Sequence, residues 1–209
     1  MVDEKYSVIV PPDEDDQFQS DRLPSEEELV LTQLRGQLRY WDNILNRRTI
    51  VGEKETRSDV IRHSQLMQDY YIQLIELYKR HSELFIFDDE NRSPEGGTLR
   101  INGNYQGYEG QLVFAEGLIY FQRGTGRPNR AYIRLASMDK DSLLNGKTVS
   151  SVLMKGGITP LWGVYWTDPK QYKKTEEIMQ GFLEQAQERL DQLRKPSPVK
   201  PTFGGIEIP

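Results

Sequence analysis

The strongest chemical signal in the sequence is a stretch from residue 123 to residue 134 that carries four arginines and no acidic residue. Glycines and a proline interrupt it, which predicts a β-hairpin with arginines at its tip and along one arm. Arginine forks bind phosphate or carboxylate groups, and the neighbouring tyrosine and phenylalanine rings offer stacking faces. This arginine hairpin is therefore a candidate surface for an acidic protein or a nucleic acid, while the alternative is an ordinary solvated hairpin. Its candidate contact residues are Arg123, Arg127, Arg130 and Arg134.

Other reactive side chains are few. The chain of 209 residues has no cysteine and two histidines, which excludes thiol nucleophiles, disulfides, zinc fingers and most multi-histidine metal sites. His63 and His81 lie on one predicted helix about 27 Å apart, too far to share an ion. Neither glycine cluster, 103–110 or 124–126, has the spacing of a phosphate-binding loop. We expect no metal and no cofactor, so an enzyme would depend on carboxylate, hydroxyl or lysine chemistry.

Both ends of the chain have the composition of flexible arms. Residues 1–24 carry seven acids and two bases, which accounts for the whole formal net charge of −5. One apolar patch in this arm is rich in β-formers and ends at a proline pair, as in a peptide that pairs with a sheet edge. Residues 195–209 form a proline-rich spacer and an apolar tag. The predicted partner-binding residues of the arms are Tyr6, Val8, Ile9, Val10, Phe203, Ile206 and Ile208.

A helical hairpin is predicted over residues 25–87, between the acidic arm and the rest of the chain. Ser25 and Glu28 form a capping box, which marks the start of the first helix. The second helix begins near Ser58 and ends near Leu84, with an apolar stripe wider than one partner helix needs. We therefore expect the hairpin to cover a sheet as well. The first helix carries its seam at Leu31, Leu34, Leu38, Trp41 and Leu45.

An antiparallel sheet and a final helix are predicted over residues 98–194, after a polar linker at 88–97. Tight turns are expected at Asn102 with Gly103 and at Glu116 with Gly117. Asp168 and Pro169 supply an N-cap and a first-turn proline for a helix that ends near Lys195. The six predicted strands lie near 98–102, 105–114, 118–123, 130–135, 148–154 and 161–166.

These patterns together predict an α+β protein. It has an N-terminal antiparallel helical hairpin, an antiparallel β-meander of about six strands, a C-terminal amphipathic helix and a flexible arm at each end. No apolar run approaches the ~20 residues of a membrane span. The first residues lack the pattern of a secretory signal or a transit peptide, so a cytoplasmic location is expected.

The function most consistent with this organisation is that of a non-enzymatic interaction protein. We expect a subunit or assembly factor of a larger complex, which binds neighbouring proteins through its arms and its helical hairpin. Self-association through the hairpin stays open. The alternative is a nucleic-acid-associated protein that uses the arginine hairpin and the aromatic residues of the sheet. A third hypothesis is a carboxylate enzyme with a cleft between helices and sheet, which two facing acids in a deep pocket would favour.

Overall fold

The computed structural model describes residues 23–50, 58–88, 98–124, 146–164, 166 and 168–195. These residues form four α-helices: α1 (Glu26–Ile50), α2 (Ser58–His81), α3 (Gly146–Lys155) and α4 (Pro169–Arg194). A 3-10 turn, Ser82–Leu84, follows α2. The five strands are β1 (Ile86–Asp88), β2 (Thr98–Tyr105), β3 (Tyr108–Ala115), β4 (Leu118–Arg123) and β5 (Ile158–Gly163). They lie side by side in chain order, each antiparallel to the next. The α+β class is confirmed, with five described strands in place of about six.

The helix starts follow the capping signals in the sequence. At the start of α1 the Glu28 amide donates to the Ser25 hydroxyl at 3.2 Å, and the Ser25 amide donates to the Glu28 carboxylate at 2.6 Å. At the start of α4 the Lys170 amide donates to the Asp168 carboxylate at 2.9 Å, with Pro169 in the first turn. Both predicted helix starts are confirmed.

The two described β-hairpins have tight two-residue turns. The turn at Glu116 and Gly117 is confirmed, and both residues have positive φ, as a type I′ turn requires. The turn predicted at Asn102 and Gly103 is wrong, because both residues lie inside β2 and pair with Gln111 and Gly110. The chain instead turns four residues later, at 106 and 107, again with positive φ at both positions. The predicted strand at 105–114 accordingly begins at residue 108 and ends at residue 115.

The segment predicted as a strand at 148–154 is also wrong, since it forms α3. Its Thr and Val residues favour a strand by propensity, but the segment forms a helix that packs on the sheet. Leu153 is fully buried against Val113 and Tyr120, on the sheet face opposite to α2 and α4. The last strand lies at 158–163 instead of 161–166, while β1 was not predicted at all. The predicted strand at 130–135 lies outside the described residues.

One hydrophobic core joins the sheet to α1, α2 and α4. Helix α4 crosses the sheet from β5 to β2. At its first turns Gln171 and Thr175 both donate to the Leu161 carbonyl of β5, at 3.2 and 3.1 Å. Further along, the Gln185 side chain accepts from the Asn104 amide of β2 at 2.7 Å and donates to the Asn104 carbonyl at 3.2 Å. These side chains hold the first turns and the second half of α4 on the sheet.

Candidate binding groove

An open groove of about 540 Å³ lies between α2 and α4, with the sheet as its floor. Helix α2 forms one wall along its second half, and the first half of α4 forms the other. Most of the lining is apolar or aromatic, and charged side chains occur at the rim. The lining residues are Tyr70, Ile72, Gln73, Leu74, Glu76, Leu77, Arg80, Phe114, Ile119, Trp162, Tyr172, Glu176 and Met179.

A row of aromatic rings organises the groove around Trp162 of β5. Its indole stacks on Tyr70 of α2, with ring centres 6.4 Å apart and an interplanar angle of 14°. On the other side Tyr172 of α4 meets the indole edge-on at 5.1 Å. The Tyr172 hydroxyl donates to the Gln73 side-chain oxygen at 2.6 Å and so bridges the two helices. Because aromatic side chains lose little conformational entropy, this row is a preformed apolar surface.

The rim of the groove carries both charges and one exposed aliphatic residue. Lys79 pairs with the Glu76 carboxylate at 2.8 Å, and the Arg80 side chain donates to the Glu76 carbonyl at 3.2 Å. Ile72 keeps 48% of its surface exposed. The hydrogen bond from Lys79 lowers the pKa of the Glu76 carboxyl.

Three tyrosines in the helices have raised pKa values. Burial raises the pKa of Tyr70 well above its usual value, and the nearby Tyr71, Tyr120 and Glu116 add to the effect. The Tyr70 hydroxyl donates to the Leu118 carbonyl of β4 at 3.2 Å. Burial is also the main cause of the raised pKa values of Tyr78 and Tyr172.

We expect the stability of the protein to fall steeply above pH 10, chiefly through Tyr70. The folded state holds this proton more tightly than the unfolded chain, whose tyrosines titrate near pH ~10. The stability that protonated Tyr70 contributes is therefore fully present below pH ~10 and is lost as the pH rises through the folded-state pKa. Urea unfolding between pH 8 and 11 measures this change in the free energy of unfolding. Tyr70→Phe should be less stable than the natural protein at pH 8 by about 1 kcal/mol. Its stability should fall less steeply as the pH rises. If the two curves of stability against pH are parallel, Tyr70 is not the group responsible.

A cluster of polar side chains lies on β1, β2 and β3, away from the groove. Arg100 contacts the Asp88 carboxylate at 3.8 Å and donates to the Gln111 side-chain oxygen at 3.3 Å. Gln111 in turn donates to the Asn102 side-chain oxygen at 3.1 Å. Asp88 and Gln111 are both buried. Buried polar groups of this kind require partners, so the cluster ties the first three strands together.

Among the predicted site residues, the structure describes Arg123. It is the last residue of β4, and its guanidinium lies 3.5 Å from the centre of the Tyr108 ring, which is itself 48% exposed. β4 pairs with β3 along one edge and β5 along the other, so it is an interior strand of the sheet. The other predicted residues lie outside the described part of the chain: Tyr6, Val8, Ile9, Val10, Arg127, Arg130, Arg134, Phe203, Ile206 and Ile208.

The groove itself was not predicted from the sequence. Its signal was indirect: the wide apolar stripe of α2 indicated a second packing partner, and the C-terminal helix was predicted to be amphipathic. Ile72 lies off the apolar stripe of α2, and its exposure at the groove is known only from the structure.

Two further findings, on metal sites and on membrane helices, concern the described residues alone. Within them, no three acidic or histidine side chains lie close enough together to hold a metal ion. None of their helices combines the length and apolar character that a membrane crossing needs. The chain matches no protein family model, no curated protein and no solved structure.

Proposed function

We propose that the protein is a non-enzymatic interaction module, a subunit or assembly factor of a larger complex, which binds an apolar segment of a partner protein in the groove between α2 and α4. The observation that carries this proposal is the preformed aromatic floor beside an exposed aliphatic rim. The volume of about 540 Å³ lies in the range of sites that enclose several large side chains or a small ligand.

The shape and charge of the groove favour a protein segment as its occupant. The groove is open to solvent along one side, whereas a site for a small molecule surrounds most of its ligand. Its apolar centre, with Trp162, Leu77 and Met179, is flanked by Glu76, Arg80 and Glu176. An apolar, aromatic-rich centre within a polar rim is the usual arrangement of a protein interface.

Affinity capture of the full-length protein from its own cells tests this proposal when two matched variants are compared. Ile72→Glu places a charge at the groove, and Leu29→Glu places one on α1 at a residue with 44% exposure, close to the 48% of Ile72. Both positions are exposed helix sites, so both variants should fold. We expect Ile72→Glu to lower the recovery of specific partners about 10-fold to 100-fold, whereas Leu29→Glu leaves it unchanged.

Two outcomes would overturn the proposal. Equal recovery of the same partners with both variants would show that the groove does not bind them. A nucleic acid that is retained by both variants and released steeply with salt would instead support the alternative function of the arginine hairpin.

A further inference from the structure

We propose that the groove is also the binding site for residues 203–208 of the same chain, which fold back along α4 and compete with the partner segment. This inference rests on the proposed function, since it requires a groove that accepts apolar segments. An incoming partner must then displace residues 203–208 from the groove.

The length of the intervening chain fits this contact. Met179 is 15 residues before the end of α4 at Arg194, which corresponds to about 22 Å of helix. The eight residues 195–202 include three prolines and span about 25 Å in an extended polyproline conformation. A spacer that runs back along α4 therefore brings Phe203 level with Met179.

The spacing of the apolar residues also fits the groove. Met179 and Tyr172 are seven residues apart on α4, about 10 Å along the helix axis. Phe203 and Ile206 are three residues apart, also about 10 Å in an extended chain. Phe203 can thus contact the Met179 thioether, a favourable partner for an aromatic ring, while Ile206 lies against the aromatic row.

Charge favours this arm over the acidic one. Residues 180–194 of α4, which the spacer would run beside, carry three acids and two arginines, and the spacer has two lysines and no acid. Residues 1–24 carry seven acids and two bases, whereas residues 195–208 carry two lysines and one acid, Glu207; the N-terminal arm would thus bring more negative charge to Glu76 and Glu176 at the rim. Opposite charges along the path assist the C-terminal segment, and like charges oppose the N-terminal one.

Cross-linking of the full-length protein tests the contact directly, because the natural chain has no cysteine. One variant carries Ile72→Cys with Gly205→Cys, and the control carries Leu29→Cys with Gly205→Cys. Ile72 lines the groove, and Leu29 is a similarly exposed residue on α1 that does not. With a short bismaleimide reagent, we expect about 10-fold more cross-link within one chain for the groove pair than for the control.

A further double substitution, Phe203→Ala with Ile206→Ala, should reduce the groove cross-link to the level of the control. Equal yields for the Ile72 and Leu29 pairs would overturn the inference, as would a cross-link that joins two chains in place of one. The two proposals can fail separately. If Ile72→Glu loses its partners but no groove cross-link forms, the groove binds partners and only the contact with residues 203–208 is absent. Loss of partners in Ile72→Glu, together with a groove cross-link that forms with the natural arm and is abolished by Phe203→Ala with Ile206→Ala, supports both proposals.

Discussion

Phe182→Ala is expected to lower the free energy of unfolding by about 3–5 kcal/mol, the largest stability effect that we predict. Phe182 lies on α4 with 1% of its surface exposed. Its ring is 6.0 Å from the Phe121 ring of β4 and lies directly over Gly103 of β2, where a Cβ would come within 2.6 Å of its Cε1. One aromatic side chain of α4 therefore packs against two strands, β2 and β4.

The cost should be at the upper end of this range because α4 cannot settle into the cavity. The bonds from Gln171 and Thr175 to Leu161 hold the helix on β5, and the two bonds between Gln185 and Asn104 hold it on β2. A substituted site costs more when its surroundings cannot collapse. Urea unfolding monitored by circular dichroism measures the change.

Leu193→Ala is the matched control, on the same helix at a residue with 83% exposure. It should change the free energy of unfolding by less than about 0.5 kcal/mol. A loss below about 1 kcal/mol for Phe182→Ala would mean that the interface between α4 and the sheet is loose, contrary to the contacts described.

The parts of the fold that sequence predicts well are those set by local chemistry. A capping box needs only Ser25 and Glu28 three residues apart, and the start of α4 needs only Asp168 followed by Pro169. Glu116 and Gly117 likewise form their turn because glycine accepts positive φ. These signals depend on neighbours along the chain, so one sequence is enough to interpret them.

The errors arose where distant residues decide the structure. Asn102 and Gly103 have the composition of a hairpin turn, but Gly103 is needed inside β2 because the Phe182 ring occupies the position of a side chain. The actual turn uses Gln106 and Gly107, supported by a bond from the Gly107 amide to the Asn104 side chain at 3.1 Å. Leu153 similarly draws its segment into α3 against the sheet, despite the strand propensity of its neighbours.

The groove could not be predicted because its walls and floor come from elements far apart in sequence. Trp162 of β5 packs against Tyr172 of α4, a residue of a different element. Helix α4 is joined to α2 by the Tyr172–Gln73 hydrogen bond and to the sheet by side-chain bonds to Leu161 and Asn104. The spacing of residues within α2 or α4 does not predict the distance between these two helices.

Gly117→Ala is expected to lower the free energy of unfolding by about 2–5 kcal/mol, the second large effect. Two costs combine at this residue. Its φ of +76° is unfavourable for alanine, and an added Cβ would lie 2.6 Å from the Met67 sulfur and 3.2 Å from Val164. Met67 has 1% exposure, so its thioether has no free space into which to move. The substitution should therefore push α2 away from the turn between β3 and β4.

Gly107→Ala separates these two costs. Gly107 occupies the same position in the other hairpin turn, with a φ of +81°, but nothing lies within 4 Å of an added Cβ. This variant should lose only the backbone term, about 1–2 kcal/mol. The difference between the two variants, measured by urea unfolding, reports how tightly α2 packs on the sheet beside the groove. Equal losses would show that Met67 yields without cost, and that α2 can shift and alter the width of the groove.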